Sequence, residues 1–178
     1  VVVLVSQAAG LVAVAAVATA QGAWSQPLGY LPWAIAAGLV GVTGLLAFYE
    51  ALARGTMGVV SPIAALSILV PVIVGLALGE WPTAVVGAGF VLAIVGVVAA
   101  SGPERTAGRS LRPVILAGVA AVCFGAVLIL VARGAEGSAE MTMVAMRVAS
   151  VTALGLVLLA RRRTVLGEAR DAATGRSR

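Results

Sequence analysis

Histidine and lysine are absent from the 178-residue chain, and cysteine occurs once, as Cys123. Without His there is no Ser-His-Asp triad, and a single thiol permits neither an internal disulfide framework nor a cysteine metal cluster. Charged residues are scarce at 11%, and no paired carboxylates fall within the apolar runs. No HExxH, GxGxxG or P-loop motif occurs. The expectation is therefore no catalytic residue, no metal, no cofactor and no ATP hydrolysis within the chain; a membrane enzyme would have almost nothing to work with.

What is present is apolar. Hydrophobic residues make up 61% of the chain, and its mean hydropathy is +1.11. A soluble domain holds about 45–50% apolar and about 25% charged residues. A water-soluble fold of this length leaves much of its surface exposed and could not hide so many apolar side chains. Lipid removes that difficulty. All twelve basic residues are Arg, and the net charge is +5. They concentrate in short segments between apolar runs, which favours membrane orientation over nucleic-acid binding.

A membrane-crossing helix needs about 20 mostly apolar residues. Six stretches qualify: 1–20, 31–53, 56–79, 83–101, 114–132 and 141–160. They do not alternate as barrel strands would, so the expected fold is an all-α polytopic membrane bundle. Pro27, Pro32, Pro82, Pro103 and Pro113 punctuate the connections. The tail 161–178 reads as a basic polar loop or a disordered end. The run opens on Val1 without Met or a signal peptide, and the expectation is that it lies inside a longer gene product.

With six crossings, one side receives Arg54, Arg105, Arg109, Arg112, Arg161, Arg162, Arg163, Arg170, Arg176 and Arg178. The other side receives Arg133. The positive-inside rule makes the first side cytoplasmic, so the segments 102–113 and 161–178 are expected in the cytoplasm of a cell whose plasma or inner membrane holds the chain. Trp24, Tyr30, Trp33 and Trp81 all fall on the Arg-poor side, as an interfacial aromatic belt would.

Ionisable groups at membrane depth are costly and are functional candidates. Glu50 precedes Arg54 by four residues, the spacing of a same-face helical ion pair. The pair is either a structural ion pair at the interface, or Glu50 is a titratable group lining a pathway and coupling transport to protons. Arg147 lies about 10 Å of helical rise from the Arg-poor end of its span. It either snorkels to that interface or faces a central cavity and an anionic group.

Pro71, in mid-span, removes the backbone donor for the Ser67 carbonyl. Such a bend is purely structural or, as in broken transporter helices, part of a binding site. Ser61-Pro62 reads as an N-cap with proline at the first helical position. Glu80 is expected to cap the helix that begins near Thr83. Ser6 and Gln7 are polar groups suited to hydrogen bonds across helices. Gly38, Gly41 and Gly44, Gly75 with Gly79, and Ala117, Ala121 and Gly125 have the small-residue spacings that allow close helix packing. Cys123 is a small apolar filler.

The ordered run Phe48-Tyr49-Glu50-Ala51-Leu52, then Gly55, Ser61-Pro62, Pro71, Gly79-Glu80, Gly87 and Gly96 resembles the drug/metabolite transporter superfamily, EamA type. The resemblance implies ten helices in two five-helix repeats of inverted topology. Residues 1–101 would then be the first repeat lacking its first helix, and 102–113 the inter-repeat loop. Residues 114–160 would be the first two helices of the second repeat, followed by the truncated basic loop 161–178. One helix would be missing upstream and three downstream. The family orientation would place 102–113 outside, against the arginine count.

The implied activity is alternating-access movement of a small metabolite, an amino acid or drug-like compound, most often export. Pathway candidates are Glu50, Ser67, Pro71, Arg147 and Gln7. Expected partners are the small-molecule substrate, membrane lipid and coupled protons, with no nucleic acid. A homodimer would be needed if the chain were complete at six helices. The rivals are a channel-like protein and a membrane scaffold without coupled transport.

Overall fold

A computed structural model describes residues 2–100 and 111–173, and within these residues every regular element is helical. Helix α1 spans Val2–Ala20, and two short 3-10 turns, Ala23–Ser25 and Leu28–Tyr30, lead into α2, Leu31–Arg54. Next come α3, Met57–Ala65, a 3-10 turn at Leu66–Ile68, and α4, Leu69–Ala77. Helix α5 covers Ala84–Ala100 and α6 Arg112–Ala173.

Among the described residues, four helical stretches are long and apolar enough to cross a membrane: Val3–Ala20, Leu28–Arg54, Met57–Ala77 and Arg112–Ala160. The apolar part of α5, Ala84–Val97, falls short of that length, although a crossing was expected over 83–101. The expected separate spans 114–132 and 141–160 lie in one continuous helix that departs from helical geometry at Ser138 (φ −168°, ψ 118°).

That departure is a reversal of direction. A methyl group on Gly134 would lie 2.5 Å from Thr142 Cγ2. Residues eight apart in a straight helix are separated by about 12 Å along the axis. The chain therefore folds back on itself, and α6 is a hairpin of two arms, 112–137 and 139–173. Ser138 caps the second arm: its Oγ accepts a hydrogen bond from the Met141 N–H at 3.3 Å.

Helix α2 is the centre of the bundle, with its most extensive interface on α6. Gly55, Gly44 and Gly41 meet Pro113, Cys123 and Val127 in turn, so α2 runs antiparallel to the first arm. Tyr30 packs by Met141, while Gly38 meets Met146 and Ala149, so α2 runs parallel to the second arm. Small residues make these approaches feasible, because a methyl on Gly38 would lie 2.7 Å from the Met146 carbonyl oxygen. The buried clusters are correspondingly small: Ala18, Ala23, Tyr30, Ala34, Met141 and Val144 at one end, and Ala51, Val60 and Ala117 at the other.

Arg54 and Arg112 thus share one end of the bundle, where Gly55 abuts Pro113. Tyr30 and the Ser138 turn occupy the opposite end, where Gly137 faces Tyr30. Arg105 and Arg109 lie outside the described residues, as do Arg176 and Arg178.

Four local expectations are corrected. Ser61 and Pro62 do not open a helix: α3 starts at Met57 after Thr56, and Pro62 is internal to it. The extended backbone at Gly55 (φ −127°, ψ 177°) sets that earlier start. Gly79 is no packing glycine. It adopts φ +88°, which favours glycine, and terminates α4. Glu80 does not cap α5, whose first turn holds no acidic residue. Finally, the basic segment expected as a loop continues α6 as far as Ala173, consistent with its Arg, Leu, Glu and Ala content and its lack of proline.

Candidate functional site

The third apolar stretch is broken at its middle. Pro71 has no N–H to offer the Ser67 carbonyl, and the preceding turn tightens into 3-10 geometry at Leu66–Ile68. The first arm of α6 closes over this break. A methyl on Gly125 would lie 2.5 Å from the Ser67 carbonyl oxygen, so only glycine admits the approach.

On another face of the break lies an open cavity of about 510 Å³, lined by Ile68, Pro71, Val72, Gly75, Leu76, Glu80, Trp81, Pro82, Val86 and Phe90. The backbone of its exposed Glu80 is fixed by the way α4 ends. The Glu80 N–H bonds to the Gly75 carbonyl at 2.9 Å and the Gly79 N–H to the Leu76 carbonyl at 3.0 Å, with Gly79 left-handed between them. This is the six-to-one and five-to-two pattern of a Schellman ending. It turns Glu80 back along α4, where its Oε2 lies 3.2 Å from the place a Gly75 side chain would begin.

Two further cavities hold no ionisable lining residue. One of about 420 Å³ lies between α3 and α5 at Met57, Ser61, Pro62 and Val97. One of about 520 Å³ lies between α2 and the second arm at Leu31, Ile35, Leu39, Ala149 and Leu156.

Arg147 and Gln7 meet across the α1–α6 interface, where the guanidinium donates to Gln7 Oε1. The guanidinium lies against Gly10, with Cζ 3.4 Å from where a Cβ would stand. One turn on, the Ser150 hydroxyl donates to the Met146 carbonyl at 2.8 Å and lies 3.3 Å from the Gly38 carbonyl. Glu50 pairs with Arg54 at 2.6 Å, both side chains near half exposed at 43% and 47%. At the opposite end Arg133 pairs with Glu136 at 3.2 Å.

The residues singled out in the sequence therefore occupy three places: Ser67 and Pro71 at the break, Gln7 with Arg147, and Glu50 with Arg54. Among the described residues, no hydrogen bond or ion pair links Arg147 or Gln7 to Ser67 or Glu50. Sequence reasoning missed Glu80, Trp81 and Phe90 as neighbours around one cavity. The signal available was Gly79 directly after an apolar run, which marks a left-handed helix ending that turns the next residue back.

No family model matches the chain, and comparisons with curated proteins and with solved structures give no match.

Proposed function

We propose that this chain is part of a secondary transporter that moves a small metabolite, an amino acid or drug-like compound, across the cytoplasmic membrane by alternating access. The observation that carries this reading is the broken third stretch with a cavity of about 510 Å³ opening beside Pro71. Interrupted helices at membrane depth line cavities in transporters, because irregular backbone is tolerated there and not against lipid. The half-buried Arg147, facing the neutral Gln7 and, among the described residues, no carboxylate, supports the same reading, since an intramembrane charge is expensive to keep without a role.

The resemblance to EamA-type transporters supplies two inverted repeats and export as the direction, and Glu50, an ionisable group within an apolar span, is proposed as the proton-carrying group. The arginines favour an orientation with the Arg54–Arg112 end in the cytoplasm.

The test is solute counterflow in liposomes reconstituted with the full-length gene product. Saturable exchange of a labelled amino acid or organic ion, reduced when Pro71 is replaced by Ala, is the expected result. Flux that neither saturates nor shows counterflow would mean a pore. No flux of any solute from protein that is folded and inserted would leave a membrane scaffold.

A further inference from the structure

We propose that the Arg54–Arg112 end of the bundle holds an anionic phospholipid, its phosphate taken by arginines of α2 and both arms of α6, and an acyl chain lying in the furrow between α2 and the second arm. Such a surface rests on the membrane reading and does not need transport.

Three helical segments reach one level there. Gly55 abuts Pro113, which sets Arg54 level with Arg112. Gly38 meets Ala149. From that contact α2 rises about 24 Å to Arg54, and the second arm rises about 21 Å to Arg163. Arg161, Arg162 and Arg163 are successive helical residues at this height and take up three different faces of the arm. The arm climbs roughly 33 Å from Ala139 to Arg161, so these positions clear a hydrocarbon core of about 30 Å and stand at headgroup depth.

Among the described residues this level carries five arginines against one carboxylate, Glu50, which bonds Arg54 at 2.6 Å. No Asp or Glu lies three or four residues from Arg161, Arg162 or Arg163, so helical spacing offers them no carboxylate on their own arm. Glu168 and Asp171, with Arg170 between them, follow about 8 and 12 Å farther along the axis. A surplus of guanidinium groups at headgroup depth attracts phosphate, which arginine can bind through two parallel hydrogen bonds.

The furrow selects a lipid over a free anion. Its walls are in direct contact, since a methyl on Gly38 would lie 2.7 Å from Ala149 Cβ. Its volume is about 520 Å³, and Leu39, Ala153 and Leu156 line the part nearer the arginines. Leu39 and Leu156 are 50% and 62% exposed, an apolar surface that an acyl chain covers and a soluble phosphate does not. Arg163 follows Leu156 by about two turns on the same face of the arm, so a phosphate there stands about 10 Å above the furrow.

The experiment is native mass spectrometry of the purified full-length protein in detergent, with dioleoylphosphatidylglycerol against dioleoylphosphatidylcholine, which has the same chains and a zwitterionic head. Binding of the anionic lipid at least about tenfold tighter is expected. Arg163→Gln should weaken it about fivefold, and the triple change of Arg161, Arg162 and Arg163 to Gln should abolish the selectivity. Lys at the same three positions keeps the charge and most of the selectivity. Arg133→Gln, at the opposite end, leaves it unchanged; helicity and melting temperature establish that each variant is folded. Equal binding of the two lipids, or selectivity unmoved by the triple Gln variant, overturns the surface. Displacement of the lipid by millimolar inorganic phosphate makes it a free-anion site and overturns the lipid as occupant. Headgroup selectivity without flux in liposomes keeps the surface and overturns transport. Flux without headgroup selectivity does the reverse.

Discussion

Gln7 accepts a hydrogen bond from the Arg147 guanidinium, so two residues 140 positions apart fasten α1 to the second arm of α6. Hydrogen bonds between membrane helices are worth about 0.6 kcal/mol on average and up to about 1.7. Gln7→Leu should cost at least that much, because it leaves a half-buried cation facing an apolar side chain. A double-mutant cycle with Arg147→Leu, read by unfolding in mixed micelles, should return a coupling energy of about 1 kcal/mol. Additive losses would mean that the two side chains are independent.

Gly125 marks the tightest approach between the first arm and the broken stretch. Gly125→Ala should destabilise the bundle by about 1–3 kcal/mol through overpacking against the Ser67 carbonyl. Gly87→Ala, whose new methyl would meet nothing beyond its own helix backbone within 4 Å among the described residues, should be neutral or slightly stabilising. Melting temperatures of the two variants in one detergent provide the check.

Two hydroxyls make opposite predictions. Ser138 caps the second arm, and Ser138→Ala should cost about 1 kcal/mol. Among the described residues Thr56 Oγ1 is buried without a hydrogen-bond partner, so Thr56→Val should be neutral or stabilising. Denaturant midpoints would show the two substitutions moving stability in different directions.

The Glu50–Arg54 pair is near half exposed, and breaking it should cost no more than about 1 kcal/mol. The proton-coupling role of Glu50 makes a separate prediction. Glu50→Gln should flatten the pH dependence of flux while the protein stays folded and inserted. An unchanged profile would reduce Glu50 to a structural partner of Arg54.

Local chemistry was legible in the sequence where one residue suffices to dictate it. Pro71 announces the break because it lacks a donor, and the Glu50–Arg54 pair follows from helical spacing. The Gln7–Arg147 contact was not legible as a pair, since each polar group reads the same alone and only the fold opposes them. The end of α4 was misread because Gly75 and Gly79 have the spacing of a packing motif, and only the positive φ of Gly79 separates a stop from a contact. Residues 133–140 fell between the two expected spans 114–132 and 141–160. The Ala and Glu residues among them instead keep helical geometry almost to the turn, and one extended residue, Ser138, supplies the whole reversal.

Under the proposed membrane reading, that economy has a consequence for how the chain enters a bilayer. At about 1.5 Å per residue, the 49-residue stretch Arg112–Ala160 would reach roughly 70 Å as a straight rod, more than twice a hydrocarbon core of about 30 Å. Folded at Ser138, it becomes two limbs of roughly matching depth whose far ends emerge on the same face. On that reading the two limbs enter the bilayer as one hairpin, and a substitution that straightened this one residue would place one limb where water, not lipid, awaits it.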